Sequence, residues 1–345
     1  MFTAFDMDFD RDKVSEFGGL LSEADNIVLV SHSNPDGDAV ASTVAMYCYL
    51  NSCGKNAAVV YPNEYPANLG FLFDGFKPVI ASVDLGRARA LFKDAGLVVC
   101  LDFNRLSRTS EELEKCISQS DCKKVLIDHH VEPEEMDMVF SDPHASSTSE
   151  LVYKILKRLN GKLLDIRILS AIYVGLCTDT GCFSYSCGRR DCFDVAAELA
   201  ESGVPMAGLK RRVMDVGSES RLRLLGFSLL ERMKVFSEHS AAYMALSRED
   251  LQRFDFKKGD LEGVVNYCLR VEGVRFGALL SERSDRIRMS FRSTSPEVDV
   301  NRFASEYWNG GGHVQAAGGT SFFTLDKTIE IFENQIKNNL HEAKG

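Results

Sequence analysis

Asn26-Ile27-Val28-Leu29-Val30-Ser31 runs directly into His32-Ser33-Asn34-Pro35-Asp36-Gly37-Asp38. The first six residues form a short apolar run of the kind that makes a strand buried on both faces. The next seven are turn chemistry, because Asn-Pro and Asp-Gly enforce a tight reversal. His32, Asp36 and Asp38 can therefore converge just beyond the strand. Ala39–Leu50 then reads as a helix, with Gly54 past its end. Strand, polar turn and helix open an α/β unit, and open α/β sheets bind ligands outside the carboxyl ends of their strands.

The same alternation continues outward. Ala57–Tyr61 is a short strand, and Leu97–Asp102 and Lys123–Asp128 are two more, both ending in aspartate. Ser147-x-x-Glu150 reads as a capping box that opens a helix through Leu159, with Gly161 after it. Asp165–Leu176 is a further helix. The expectation is an α/β fold: a parallel-sheet domain over residues 1–190 with helices on both faces. Asp191–Ser202 and Ser220–Lys234 read as helices with no strand between them, a helical connector over 191–235. From 236 to 345 the pattern predicts a smaller α+β domain. Its strands are Ala241–Leu246, Val274–Ser281 and Arg286–Arg292; its helices lie near Asp260–Arg270 and Asp299–Trp308 and from about Asp326.

Composition fits two globular domains. The 345 residues are 45% hydrophobic and 26% charged, which excludes wholesale disorder. The net charge of −10 argues against a protein that coats long duplex DNA, so a nucleic-acid substrate should be small. The best apolar run, Ile168 to Cys177, is too short for a bilayer, and MFTAFDMDFDRDK at the start lacks a signal-peptide core. No membrane association and a cytoplasmic location are expected. The ten cysteines contain no CxxC pair and read as free thiols. Cys177, Cys182, Cys187 and Cys192 recur at every fifth residue, which reads as chance placement over a zinc knuckle.

The chemistry lies in a conjunction. Asp, Asn and Gly populate loops after strands as a matter of course. Here, however, four segments deliver Asp or His to one sheet edge: His32-x3-Asp36-x-Asp38, Asp102, Asp128-His129-His130, and Asp179 within Thr178-Asp179-Thr180-Gly181. Carboxylates crowded together repel unless cations neutralise them. Mixed imidazole and carboxylate donors suit Mn²⁺, Fe²⁺ or Zn²⁺, and the count suffices for two ions. In the last third, Gly310-Gly311-Gly312-His313 followed by Ala316-Ala317-Gly318-Gly319 reads as a phosphate-cradling helix start. Arg286, Arg288 and Arg292 fall on one face of their strand. Asp74 and Asp84 read as surface-loop residues, and His144, His239 and His341 as loop or surface histidines.

Ser31–Ser42, Asp128-His129-His130, Cys177–Ser186 and Gly310–Gly319, in this order, resemble the DHH phosphoesterases with a DHHA1 C-terminal domain. The nearest resemblance is to the nano-RNases, the bifunctional oligoribonuclease and 3′-phosphoadenosine 5′-phosphate phosphatase group. The resemblance implies that His32, Asp36 and Asp102 hold one divalent ion. Asp38, Asp102, His129 and Asp179 would hold the second, with Asp102 bridging and Mn²⁺ the expected metal. It implies that Asp128 orients a ligand histidine. His130, Arg292 and His313 would face the substrate phosphate, with Ser293 and Gly310, Gly311 and Gly312 completing its site. Ala41 stands where relatives often carry Gly.

The function so implied is hydrolysis of short 5′-phosphorylated oligoribonucleotides, pApA or 3′-phosphoadenosine 5′-phosphate by a two-metal-activated hydroxide, releasing nucleoside monophosphates. Two alternatives stay open. One is a pyrophosphatase, exopolyphosphatase or cyclic-dinucleotide phosphodiesterase with the same metal site. The other is a non-catalytic nucleotide sensor, which loss of a metal ligand would signal. The oligomeric state stays open, a homodimer included.

Overall fold

Strand β1, Asn26–Val30, sends Ile27 and Leu29 into one hydrophobic core and Val28 and Val30 into another. That double burial is what a strand between two helical layers requires. In a computed structural model, residues 10–184, 187–257 and 259–339 are described. Residues 1–9, Tyr185 and Ser186 of the Cys177–Ser186 motif, and His341 lie outside them. The chain divides into two compact units, the first ending at Val216 and the second starting at Gly217.

The first unit runs α1 (Arg11–Glu23), β1, α2 (Gly37–Ser52), β2 (Asn56–Tyr61), β3 (Val79–Ile80), α3 (Leu85–Lys93), β4 (Leu97–Leu101) and α4 (Glu111–Gln119). It continues through β5 (Lys123–Asp128), β6 (Met138–Ser141), α5 (Thr148–Asn160), α6 (Ile166–Asp179), α7 (Arg190–Glu201) and α8 (Met206–Lys210). The sheet order is β3-β2-β1-β4-β5-β6, and every pairing is parallel. The chain steps outward from β1 to β3, then returns to the other side of β1 with β4. The reversal between β1 and β4 opens a crevice at their carboxyl ends. Alternate residues of the central strands face α2, α5 and α6, and the others face Phe92 of α3 and Leu113 and Ile117 of α4.

Capping residues set the helix starts that matter for the site. Asp36 accepts the Asp38 and Ala39 N–H groups at 3.1 Å each, and Asp165 caps α6. Ser147 accepts the Glu150 N–H at 3.1 Å, which is half of the expected capping box. The returning half is replaced. The Glu150 carboxylate accepts from Ser146 N and Oγ at 2.9 and 2.6 Å and pairs with Lys154 at 2.8 Å. Lys154 is itself buried, so its charge needs that carboxylate more than the Ser147 amide does.

The second unit runs α9 (Glu219–Glu231), β7 (Met233–Phe236), β8 (Ala241–Leu246), α10 (Arg248–Arg253), β9 (Phe276–Glu282) and β10 (Ile287–Ser293). Then come α11 (Val300–Tyr307), β11 (Gly311–His313), β12 (Ala316–Ser321) and α12 (Leu325–Asn339). Its sheet order is β11-β12-β10-β9-β8-β7, antiparallel except for the parallel pair β8 and β9. Phe276, Phe291, Phe303, Trp308 and Phe332 pack together on one face. On the other face, Leu224 of α9 and the 3₁₀ turn Val264–Arg270 cover β8 and β9.

Three expectations are corrected here. The helix expected through Lys234 stops at Glu231, because Met233–Phe236 pairs with β8 as an edge strand. The helix expected over Asp260–Arg270 is a 3₁₀ turn confined to Val264–Arg270. The Gly310–Gly319 stretch is a β-hairpin and not a helix start. A Cβ on Gly310 would stand 1.9 Å from the Gly318 carbonyl oxygen, and one on Gly312 would stand 2.5 Å from that of Ala316. The glycines serve backbone approach across the hairpin, and the small residues of β12 pair with β10. Arg288, Ser290 and Arg292 alternate with buried Ile287, Met289 and Phe291 and share one face, whereas Arg286 precedes the strand.

Candidate metal centre

His32 leaves the end of β1 and is buried. Its Nδ1 lies 2.9 Å from the Ser33 carbonyl oxygen, which can only accept, so Nδ1 carries the proton. Burial lowers its pKa, with Asp36 opposing. The neutral ring therefore turns the Nε2 lone pair toward Asp102 Oδ2 at 3.6 Å and Asp36 Oδ1 at 3.9 Å. Asp36, exposed at the head of α2, spends Oδ1 on its capping bonds.

Asp38, in the first turn of α2, is buried and reaches across to α5. Its Oδ2 accepts the Thr148 N–H at 2.6 Å and its Oδ1 that of Ser149 at 3.0 Å. A carboxylate at a helix N-terminus answers both the free amides and the dipole. Two glycines permit the approach. A Cβ on Gly37 would meet Thr178 at 2.3 Å, and one on Gly175 would meet Ser149 Oγ at 1.9 Å and Asp38 Oδ1 at 2.6 Å.

Asp102 follows β4 with φ of +66°, a left-handed conformation that turns the chain sharply at the strand end. Its carboxylate lies at the centre of the cluster. Oδ2 faces His32, while Oδ1 lies 3.7 Å from His129 Nε2 and accepts the Thr148 hydroxyl at 2.9 Å. Burial, and then the charges of Asp38, Asp36, Asp179 and Asp128, push its pKa well above the usual carboxylate range. Burial raises that of Asp38 as well.

After β5, Asp128, His129 and His130 diverge. His129 Nε2 lies 3.3 Å from Asp179 Oδ2 at the end of α6, and its Nδ1 is 3.3 Å from the Ala145 carbonyl. His130 Nδ1 lies 2.7 Å from Asp128 Oδ1, and the His130 N–H donates to Asp128 Oδ2 at 3.1 Å. Asp128 thus holds His130. Thr148, beside the N-cap Ser147 where sequence places mainly a helix cap that can also touch substrate, ties Asp102 to α5.

The residues fit divalent cations. Donor atoms of His32, Asp36 and Asp102 lie within 4.8 Å of one another, as do those of Asp38, His129 and Asp179. Buried carboxylates whose protonation is favoured by mutual repulsion are stabilised as anions by a cation among them. The C-terminal end of α6, which carries Asp179, adds a dipole of the same sign. No such group among the described residues includes a cysteine, and all ten cysteines are free.

The second unit carries the remaining sequence-derived residues. Arg292 and His313 both stand opposite Ala316, one from each neighbouring strand, so the two flank a small residue. Ser293 is buried, and its hydroxyl donates to the Ser295 carbonyl at 3.2 Å. Gly311 and Gly312 lie in β11, and Gly310 precedes it. His144 is an exposed loop residue.

A carboxylate and imidazole cluster at the switch point of a parallel sheet is the arrangement of an α/β protein whose strand ends fit divalent cations. Residues 26–176 match the N-terminal domain of the DHH family, and residues 239–338 match the DHHA1 domain. An exopolyphosphatase-related protein of Bacteroides fragilis is 35% identical, with a TM-score of 0.90, over 95% of this chain and 96% of that one. The bifunctional oligoribonuclease and PAP phosphatase NrnA of Bacillus subtilis is 26% identical over 90% of this chain and 94% of its own. The cyclic-di-AMP phosphodiesterase GdpP of Geobacillus thermodenitrificans is 26% identical over 94% of this chain, which spans 48% of that protein. The chain belongs to the DHH/DHHA1 phosphoesterase family.

Proposed function

We propose that this protein hydrolyses short 5′-phosphorylated oligoribonucleotides, pApA or 3′-phosphoadenosine 5′-phosphate, releasing nucleoside monophosphates. The observation that carries the reading is Asp102, whose two oxygens face two different imidazoles amid buried carboxylates. His32, Asp36 and Asp102 would hold one ion, and Asp38, Asp102, His129 and Asp179 a second, with Mn²⁺ the expected metal. Such ions supply Lewis acidity and lower the pKa of water. The chain's own residues do the rest. Ser33 and Ala145 carbonyls fix the tautomers of His32 and His129. Asp128 fixes His130 so that its Nε2 can meet a phosphate oxygen or leaving group. In the second unit, Arg292, Ser293, Gly310, Gly311, Gly312 and His313 are the proposed phosphate-binding residues. Arg offers a planar bidentate donor, and the glycines let the hairpin backbone lie flat beside it.

The full-length similarity to an oligoribonuclease and PAP phosphatase supports the nucleotide substrate. A second reading, hydrolysis of polyphosphate, is favoured by the description of the Bacteroides relative. The test is a Mn²⁺-supplemented panel of pApA, a pentanucleotide RNA, 3′-phosphoadenosine 5′-phosphate, cyclic dinucleotides, pyrophosphate and polyphosphate. Turnover of the first three above the rest is expected. Turnover confined to pyrophosphate and polyphosphate would overturn the proposal. Among the described residues no helix is long and apolar enough to cross a membrane. A cytoplasmic location is proposed with the function, and the free cysteines support it.

A further inference from the structure

One face of the C-terminal sheet is only partly covered. The 3₁₀ turn Val264–Arg270 and α9 cover β8 and β9 there, while on β10 Arg288 is exposed and Ser290 and Arg292 are half-buried on that same face. Opposite them on β12 stand Thr320, Gly318 and Ala316, so the floor between the arginines is small and neutral. Arg283, in the β9–β10 turn, lies where the covered half meets this floor, its guanidinium over the Phe256 ring with 4.4 Å to the centroid.

Three other arginines of this unit are ion-paired: Arg275 with Glu297, Arg286 with Asp285 and Arg302 with Glu306. Among the described residues Arg283 and Arg288 form no ion pair. Burial, and then the charge of Arg288, lowers the pKa of Arg283. Arg288 stands opposite Ser281, and Arg283 follows two residues beyond Ser281, so the two arginines occupy neighbouring positions at this end of the sheet. Like charges so placed without a counter-ion, one of them half-buried, carry an electrostatic cost that an anion would relieve.

We propose that Arg283 and Arg288 form a second phosphate subsite, which takes a downstream phosphodiester of single-stranded RNA. The inference rests on the proposed role of Arg292. Arg288 and Arg292 are four residues apart along a strand, about 13 Å. Adjacent phosphates of one strand lie closer than that, so a dinucleotide held at Arg292 falls short of Arg288 and a longer oligomer reaches it. The neutral floor of Ser290, Gly318 and Thr320 leaves room for a ribose or base between the two charges. A polyphosphate chain, charged along its whole length, would call for cations along that floor.

The test is fluorescence anisotropy of full-length, EDTA-treated protein with 5′-phosphorylated pentanucleotide and dinucleotide RNA over a salt series. Arg288→Ala should weaken pentanucleotide binding about tenfold or more. It should reduce the slope of log affinity against log salt by about 0.7, one lost phosphate contact, and leave the dinucleotide unaffected. Arg288→Lys should retain the slope. Equal loss for both RNAs, or greater loss for polyphosphate than for the pentanucleotide, would overturn the subsite. So would wild-type pentanucleotide binding by Arg288→Ala. Failure of the wild-type protein to bind either RNA would overturn the nucleotide reading itself.

Discussion

Asp128 grips His130 twice, its Oδ1 2.7 Å from the ring Nδ1 and its Oδ2 accepting the His130 backbone N–H at 3.1 Å. Asp128 is fully buried, so the ring cannot turn without leaving a carboxylate unpaired. Asp128→Asn removes the charge that holds the Nδ1 proton. The expected loss is about 10- to 100-fold in kcat/KM with Mn²⁺ stoichiometry unchanged. Kinetics on pApA beside elemental analysis checks this, and loss of one ion equivalent would make Asp128 a ligand instead.

Asp102 yields a prediction with two opposite signs. Its folded pKa is raised, by burial first and then by four neighbouring carboxylates. A raised acid pKa means that folding favours the protonated form. The contribution of Asp102 to stability is then fully present below the usual carboxylate range, about pH 4, and is lost as pH rises toward the raised value. In EDTA at pH 7, Asp102→Asn keeps an acceptor for Thr148 and removes the repulsion. Its Tm should exceed the wild type's by a few degrees, at about 2–4 °C per kcal/mol. The gap should close near pH 4. In excess Mn²⁺ the order should invert, because only the wild type retains the bridging carboxylate. Scanning calorimetry with and without metal decides it, and a wild type more stable than the variant in EDTA would refute the account.

Much of this was legible in the sequence, for identifiable reasons. β1, β5 and β8 are dense apolar runs, and their ends were read to within a residue. The strand-end aspartates and histidines were legible because turn chemistry at a sheet edge has few other uses. The left-handed Asp102 was not, since a conformation dictated by its neighbours leaves no local signature. Nor was the bond from Thr148 to Asp102, which spans 46 residues. The Gly310–Gly319 run misled because small residues satisfy a phosphate loop and a tight hairpin equally, and only pairing with β10 distinguishes them. The short helices α3 and α4 and strand β6 went unread.

Gly175 tests whether close helix approach builds the metal centre. Gly175→Ala would drive a methyl group into Ser149 and Asp38, forcing α6 away from α2 and α5. The expected cost is about 1–3 kcal/mol of stability. Mn²⁺ affinity should fall, because Asp38 must move. Gly161→Ala, whose added carbon meets only Lys157 Cγ at 3.5 Å, is the control and should match the wild type. Chemical denaturation and metal titration of both variants provide the measurement. Unchanged metal affinity in Gly175→Ala would separate the packing from the site.

The hairpin glycines separate substrate binding from metal binding. In the present register Arg292 and His313 both stand opposite Ala316. Gly310→Ala places a carbon 1.9 Å from the Gly318 carbonyl oxygen, which opens the hairpin and carries His313 away from Arg292. Arg292→Ala leaves the hairpin intact and removes one guanidinium. Both should raise KM for pApA, by about tenfold or more for a lost charge-assisted contact. Only Gly310→Ala should also lower Tm, since only it disturbs backbone pairing. Neither should change Mn²⁺ content, because every proposed ligand, from His32 to Asp179, lies in the first unit. Steady-state kinetics, thermal melts and metal analysis of the two proteins form one experiment. Wild-type KM in both variants, or loss of metal from either, would remove the hairpin from the substrate site.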